Sequence, residues 1–307
     1  MEEGRIVADP EWGWWIVFYF YLGGIAAGAY FIGTLIDLVG HRRDRQISNI
    51  AYYLAFPLVA ICGLLLIVDL GRPERFWHMI IQNNTGWPMF KYWSPMSIGA
   101  WALLLFGGFS AASFAGALAE EGRFGLGRFS GLARLMHFGP LGMLFELGGT
   151  AVGFFIAAYT GALLTASNQP FWSDSNLIAA LFLASAASTG IAAMLLIMRF
   201  VRRAPADSVA ALERTDRWAM LLELALLIAF VISLGGLAPA FVGSVYGILL
   251  IAGTLVIGVV VPLVISWQSH PLSANRTVIA AVLVLIGGFV LRYTVVMAGQ
   301  HVAVAGR

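Results

Sequence analysis

The sequence predicts an all-α integral membrane protein with eight transmembrane helices in two four-helix bundles. Three observations lead to this fold class. Hydrophobic residues make up 60% of the 307 residues and charged residues only 11%, whereas soluble domains carry about a quarter charged residues. The mean hydropathy is +0.85. Eight apolar runs are long enough to cross a bilayer, which takes about 20 residues per helix. The runs are continuous rather than alternating, so they predict helices and not the strands of a barrel.

The eight spans are separated by connections richer in polar and turn residues. The connection RFVRRAPADSVAALERTDR lies between spans five and six. We expect residues 1–200 to hold the first bundle together with span five, and residues 201–307 to hold the remainder of the second bundle, within one membrane unit. The predicted spans are Trp12 to Val39, Ser48 to Leu70, Trp93 to Leu118, Phe138 to Thr165, Ser175 to Val201, Arg217 to Gly235, Ser244 to Trp267 and Thr277 to Gly299.

The distribution of basic residues predicts the orientation. Twelve arginines follow the odd-numbered spans, against five basic residues on the other side. Basic residues concentrate on the cytoplasmic side, so both termini are predicted to lie outside the cytoplasm. The twelve are Arg42, Arg43, Arg45, Arg123, Arg128, Arg134, Arg199, Arg202, Arg203, Arg214, Arg217 and Arg276; the five are Arg5, Arg72, Arg75, Lys91 and Arg307. Aromatic residues at span ends fit an interfacial belt: Trp12, Trp14, Trp15, Trp93, Trp172 and Trp267.

Several classes of protein and site are disfavoured by composition. A net charge of +2 without a basic stripe argues against nucleic-acid binding. The single cysteine, Cys62, cannot form an internal disulfide or hold an iron–sulfur cluster. Residues 1–11 lack the basic region and cleavage site of a signal peptide, so the first apolar run is expected to remain a span. The histidines lie in loops or at span ends, which predicts neither haem nor metal in this chain: His41, His78, His137, His270 and His301.

A dense charge cluster opens the longest loop on the predicted outer side, from about Leu70 to Tyr92. Asp69, Arg72, Glu74 and Arg75 fall within seven residues. A loop of this length usually has a function or a partner. The alternative is a local ion-pair cluster that caps span two and stabilises a turn.

Four motifs resemble those of the polysulfide reductase membrane-subunit family, also called NrfD-like. They are WGWWIVFYFYLGGIAAGAY in span one, DLGRPERFW after span two, SPMSIGAW at the start of span three, and AAYTGALLTASNQPFW at the end of span four. The resemblance implies a quinone-reactive subunit, using menaquinone or ubiquinone, in the bacterial cytoplasmic (inner) membrane. It also implies an extracytoplasmic ferredoxin-like iron–sulfur subunit and a molybdopterin catalytic subunit as partners, with no haem in this chain.

A quinone site needs an apolar slot with polar groups that bind the carbonyl oxygens and exchange protons. Tyr19 lies about 10 Å into span one at 1.5 Å per residue, Tyr159 is expected at a similar depth in span four, and Asp69 ends span two. The family resemblance adds weight to Tyr159, within YTG. The alternative for each tyrosine is an interfacial aromatic. The outer loop is then a docking surface, for which we name Arg72, Glu74, Arg75, Trp77 and Lys91.

Ionisable residues inside spans are functional hypotheses because they are costly to bury. The proton-relay candidates are Glu146, Asp37, Glu223 and Arg292. Glu146 lies in span four, about 20 Å along the helix from Tyr159. Asp37 and Glu223 lie near predicted cytoplasmic ends, where pairing with nearby arginines is the alternative. Arg292 in span eight needs an acid from another span or a cavity.

Two other functions stay open at this point. A secondary transporter fits the composition and the helix count, although transporters place polar groups near the midplane in paired halves. A structural anchor does not explain the converging polar groups.

Overall fold

The long elements of the chain are all helices. The computed structural model describes residues 12–39, 44–131, 137, 139–167, 169, 171–201, 206–268 and 274–301. Within these ranges there is no β-strand, and one isolated bridge pairs Ile81 with Pro88. Seven helices are long and apolar enough to cross a bilayer, and an eighth span is present if one bent helix pair is counted. The predicted all-helical, multi-pass membrane fold is therefore confirmed.

The eight long helices follow the predicted spans closely. They are α1 (Trp14–Val39), α2 (Arg45–Asp69), α3 (Pro95–Glu120), α4 (Gly139–Thr165), α5 (Leu177–Phe200), α6 (Ala206–Ser233), α7 (Val245–Gln268) and α8 (Ala274–His301). Short 3-10 helices, Pro73–Met79 and Arg123–Phe129, lie in the connections after α2 and α3. We call the face of the fold that carries residues 70–94 the loop side. Predictions made on residues 1–11, His41, Arg42, Arg43, Arg134, Arg202, Arg203, His270 and Arg307 lie outside the described residues.

Helix α6 departs most from its predicted span. It begins at Ala206 rather than near Arg217, and its N-terminal turns include the charged segment that the sequence suggested was a connection. At its other end the chain bends by 92° into Gly235–Val242. Gly235 has a φ of +53°, a left-handed conformation that glycine adopts at low cost. The helix extends further than predicted, and two of its charged side chains, Glu213 and Asp216, are buried in the fold.

Helix α1 is the centre of the packing. It lies against α2, α4, α5 and α8, while α5 also contacts α4, α6 and α8. The closest approach is between α1 and α5, where a Cβ on Gly28 would lie 1.8 Å from the carbonyl oxygen of Ala186. Glycine is required at this position because the two backbones touch.

Trp172 was predicted to belong to the interfacial belt, and this prediction is wrong. Its side chain is fully buried, and its indole Nε1–H donates to the carbonyl oxygen of Val295 in α8 over 2.8 Å. The ring of Trp12 packs against it, with centroids 5.1 Å apart. A buried indole needs such an acceptor, and here one is supplied by a helix backbone.

The first and last helices meet on the loop side. The backbone N–H of Trp12 donates to Gln300 Oε1 over 3.1 Å, and Gln300 Nε2 donates to the carbonyl oxygen of Trp12 over 3.0 Å. Gln300 lies in the last turn of α8. These paired hydrogen bonds hold the start of α1 against the end of α8.

Candidate functional site

Two of the quoted motifs meet at Tyr159. The hydroxyl of Tyr159, in α4, donates a hydrogen bond to the carbonyl oxygen of Pro95 over 2.7 Å. Pro95 is the first residue of α3, where a proline fits because no helical N–H is needed. The side chain of the preceding Ser94 caps the helix by accepting from the N–H of Ser97. The motifs SPMSIGAW and YTG are thus joined by one hydrogen bond at the loop side.

Gly99 makes room for the tyrosine ring. A Cβ at this position would lie 2.1 Å from the Tyr159 hydroxyl and 2.2 Å from the adjoining ring carbon. On its other side the ring stacks on Phe155, with centroids 5.6 Å apart. Tyr159 therefore sits in a shaped slot between α3 and α4, not free at an interface, with its side chain 7% exposed.

Tyr19 lies on the neighbouring helix and close enough to Tyr159 for the two phenols to interact electrostatically. Its side chain is 3% exposed, and its backbone carbonyl oxygen accepts a weak hydrogen bond from the Cys62 thiol over 3.7 Å. Within the described residues, the Tyr19 hydroxyl makes no hydrogen bond to a protein group. The phenol groups of Tyr19 in α1 and Tyr159 in α4 are thus both buried in an apolar environment. The hydroxyl of Tyr19 remains available as a hydrogen-bond donor.

Asp69 is placed differently from the two tyrosines. It is the last residue of α2 and its side chain is exposed. No hydrogen bond connects it to Tyr19 or Tyr159 in the described structure. The structure brings together two of the three predicted quinone contacts and leaves the third at the rim.

The loop from residue 70 to residue 94 is ordered but outward-facing. The backbone N–H of Met89 donates to the carbonyl oxygen of Ile80, and Trp101 Nε1–H of α3 donates to the carbonyl oxygen of Met89 over 2.9 Å. Within the described part of the protein, no salt bridge joins the charged residues at the start of the loop. The expected alternative, a local ion-pair cluster, is not formed. Exposed side chains on this loop include the named charges Arg72, Glu74, Arg75 and Lys91 and the aromatics Phe76, Trp77, Trp87, Phe90, Tyr92 and Trp93.

A second polar cluster lies at the ends of α1, α2, α3 and α4 that are opposite the loop side. Asp37 forms a salt bridge with Arg45 and accepts a hydrogen bond from the Tyr52 hydroxyl over 2.6 Å. Arg45 also pairs with Glu120 at the end of α3 over 3.1 Å. One guanidinium therefore holds carboxylates from α1 and α3 at the start of α2.

Glu146 joins this cluster through His137. The His137 Nδ1 and Glu146 Oε1 atoms lie 3.3 Å apart, and the imidazole stacks on Tyr52 with centroids 5.4 Å apart. Burial lowers the pKa of His137 to about 3, with a further contribution from Arg45, so the ring is neutral at ordinary pH. His137 precedes α4. It was not predicted as a functional residue, because a single histidine forms no recognisable sequence motif.

The cluster has three groups that are able to ligate a cation. One atom from each of Asp37, His137 and Glu146 lies within 4.8 Å of the others. However, Arg45 already contacts Asp37, and a fixed guanidinium charge opposes a second cation at the same oxygen. The arrangement fits an ion-pair and proton-exchange network better than a metal site.

Glu223 and Arg292 occupy the second half of the chain. Arg292 is 1% exposed, and its Nη1 donates to Ser185 Oγ over 2.5 Å and to the carbonyl oxygen of Gly288 over 3.0 Å. Glu223 accepts from Ser188 Oγ over 2.6 Å and is close enough to Arg292 to interact electrostatically. The predicted position of Glu223 near a helix end is wrong: because α6 starts at Ala206, Glu223 lies about 25 Å along it.

Comparison with known proteins identifies the family. Residues 7–305 match the family model described as polysulphide reductase, NrfD. The chain is 30% identical over 315 aligned positions to one of the polypeptides of the polysulfide reductase of Wolinella succinogenes, covering 94% of each sequence. It is 25% identical over 310 positions to Protein NrfD of Escherichia coli strain K12, covering 94% of this chain and 95% of the relative.

A further match is local. Over 103 residues the chain is 31% identical to a subunit of the selenate reductase of Mesobacillus selenatarsenatis, which is 34% of this chain and 22% of that subunit. The family model instead spans nearly the whole sequence, from the segment before α1 to the end of α8. The chain belongs to the NrfD family of polysulphide reductase membrane proteins.

Proposed function

We propose that the chain is the membrane anchor and quinone-reactive subunit of a respiratory complex iron–sulfur molybdoenzyme. It exchanges electrons between the quinone pool of the bacterial cytoplasmic membrane and an iron–sulfur subunit outside the cytoplasm. The observation that carries the proposal is the buried pair of phenols, Tyr19 and Tyr159, beneath an exposed loop. The names of two relatives, which describe them as components of a polysulfide reductase and of a selenate reductase, support a place in a multi-subunit reductase.

The residues around the two tyrosines suit a quinone substrate. Menaquinone and ubiquinone each present a flat apolar ring with two carbonyl oxygens, which calls for an apolar slot and a few hydrogen-bond donors. The Tyr19 hydroxyl is the available donor, and Tyr159 is held by Pro95 and Gly99 so that its oxygen keeps a fixed position. Asp69 at the rim provides a carboxylate where a proton is able to pass to the surrounding water.

The two electrons of quinol oxidation require a partner, since the chain offers one cysteine and no predicted haem ligands. The loop with Arg72, Glu74, Arg75, Trp77 and Lys91 is the proposed docking surface for the iron–sulfur subunit. Its exposed aromatics are the residue type enriched at interface centres. Charged residues around them would set orientation and association rate. The molybdopterin subunit then docks on the iron–sulfur subunit and acts on the terminal substrate.

The proposed topology places the loop side outside the cytoplasm and groups α1 to α4 and α5 to α8 as two bundles. Within the first group α2 and α4 each contact α1 and α3, and within the second α5 and α7 each contact α6 and α8, while α5 also packs against α1 and α4 and so joins the two groups. The cluster of Asp37 and Glu146 would then face the cytoplasm. It is the proposed relay for protons taken up from that side.

The test is purification of the chain with its native partners. We expect an iron–sulfur protein and a molybdopterin protein to co-purify, and the complex to transfer electrons from quinol to the terminal acceptor, or the reverse. Spectroscopy of the purified complex would detect the metals. Solvent extraction of the same complex would recover the bound quinone. A chain that is isolated alone, retains no quinone and moves a solute across vesicles would contradict the proposal.

A further inference from the structure

The buried face of α6 carries three acids. Glu213, Asp216 and Glu223 are 4%, 6% and 3% exposed, respectively. Their spacing of three and seven residues places them on one side of a helix, and Met220, also buried, falls between the last two. The sequence did not predict Glu213 and Asp216 as functional residues, because the helix was expected to begin after them.

The acids are linked to other helices by hydroxyl groups. The Thr277 hydroxyl, at the start of α8, donates to Glu213 Oε1 over 2.7 Å. At the deep end Ser188 of α5 donates to Glu223. Ser185, one turn earlier on α5, accepts from Arg292 Nη1. The series thus begins at the N-terminal end of α6, opposite the loop side, and ends at an arginine against Gly24 of α1.

Charge balance requires protons in this series. The three carboxyl groups and the one guanidinium would carry a net charge of −2 if all were ionised, which is very costly away from water. In the described part of the chain, neither Glu213 nor Asp216 forms a salt bridge. Ionisation of all three acids together is therefore disfavoured, and protons held within the series would relieve the excess charge. A single structural ion pair with Arg292 would need only one acid.

Three polar atoms in the series need partners. Glu213 Oε2, Asp216 Oδ1 and Arg292 Nε are buried without a hydrogen-bond partner among the described groups. Buried polar atoms of proteins are almost always hydrogen-bonded, to protein or to water. The rise along α6 is about 5 Å from Glu213 to Asp216 and about 10 Å from Asp216 to Glu223, distances that one or a few waters bridge.

We propose that Glu213 and Asp216 form a proton-access route along α6 to Glu223, which lies near Arg292, and that this route is separate from the tyrosine pair. Each transfer moves one proton from a protonated carboxyl to a neighbouring carboxylate through water or a hydroxyl group, with no electron involved. The route lies in the second half of the chain and does not depend on quinone chemistry. Arg292 lies against Gly24 of α1, the helix that also carries Tyr19.

The test is hydrogen–deuterium exchange of carboxyl groups, measured by infrared spectroscopy on the full chain in lipid bilayers. Glu213→Gln, Asp216→Asn and Glu223→Gln assign the C=O bands of the protonated acids, and we expect at least two of the three changes to remove a band. In wild type these bands shift soon after a change to deuterated buffer. In Glu213→Leu, which removes the first carrier, the remaining bands should shift at least tenfold more slowly.

Thr277→Val provides a second variant that keeps all three acids and removes the hydroxyl that donates to Glu213; slower exchange is expected there too. Glu146→Leu is the control, a buried acid in the first half whose loss should leave these bands unchanged. If none of the three assignment variants removes a protonated-acid band, the proposal is overturned. It is also overturned if exchange keeps its wild-type rate in folded Glu213→Leu and Thr277→Val. Because no quinone is needed, these outcomes are independent of quinol turnover.

Discussion

The Tyr159 hydroxyl and the Pro95 carbonyl oxygen are 2.7 Å apart, so a side chain of α4 is fixed by the first residue of α3. Replacement of Tyr159 by Phe removes the hydroxyl but keeps the ring and its stacking on Phe155. We expect quinol turnover to fall about tenfold or more, since one hydrogen bond of about 1.4 kcal/mol corresponds to tenfold. The measurement is steady-state turnover of the assembled complex. Tyr246→Phe, in α7 of the second half of the chain, is the matched control, and equal turnover in the two variants would contradict a role for Tyr159.

Gly99→Ala tests the slot around the tyrosine. The new Cβ would lie 2.1 Å from the Tyr159 hydroxyl, so the ring must move. Turnover should fall while membrane insertion and partner binding persist. Gly108→Ala on the same helix has no atom within 4 Å of its new Cβ and should behave as wild type. Wild-type turnover in Gly99→Ala would show that the position of Tyr159 does not matter.

Arg72→Ala combined with Arg75→Ala tests the docking surface. Exposed charges at an interface rim act mostly on association and are screened by salt. We expect about tenfold weaker binding of the iron–sulfur subunit at low ionic strength, with a smaller difference at high ionic strength. Binding is measured with the purified partner on the membrane-embedded protein. Arg128→Ala, on the side away from the loop, is the control, and partner binding at wild-type strength in the double variant would return these arginines to a local role.

Glu146→Gln tests the first-half cluster. The amide keeps a similar shape beside His137 but cannot take up or release a proton. Proton uptake from the cytoplasmic side during turnover should fall several-fold, as followed by a pH-sensitive dye enclosed in oriented vesicles. Glu121→Gln, an exposed residue just after the end of α3, should leave uptake intact. If Glu146→Gln takes up protons at the wild-type rate, Glu146 is structural.

Trp172→Phe tests the packing of the connection between α4 and α5 against α8 on the loop side. The change removes the indole N–H that reaches Val295 and some buried ring surface, at a cost of about 1–3 kcal/mol. The unfolding temperature in detergent should fall by several degrees. Trp267→Phe, at a position 62% exposed, should change it little. Equal melting curves would mean that the hydrogen bond contributes nothing.

The sequence was sufficient for the fold class because long apolar runs have few alternatives to membrane helices. It was wrong about the start of α6, since Glu213, Arg214, Asp216 and Arg217 lower the hydropathy of a segment that is helical. Hydropathy averages over all faces of a helix. It cannot register that the acids point inward while Arg214 is exposed.

For the candidate site, Tyr159, Asp37 and Glu146 were predicted from the sequence, but His137 and the hydrogen-bond partners were not. The Tyr159 hydroxyl donates to a backbone carbonyl oxygen, and a backbone acceptor cannot be recognised from the residue type. Asp37 is far in sequence from His137 and Glu146, and it meets them only when α1 packs against α4. The signal that was available for α6 is the helical spacing of its three acids, which becomes visible once the helix is extended to Ala206.

The hydrogen bonds between Trp12 and Gln300 bear on whether the number of membrane crossings is odd or even. The start of the first span and the end of the last one adjoin, so both lie on the same face of the bilayer. An odd number of crossings would separate them by the full thickness of the membrane. Counting the bent pair Asp207–Ser233 and Gly235–Val242 with the seven other candidate spans gives eight, the even number that agrees with these adjoining ends.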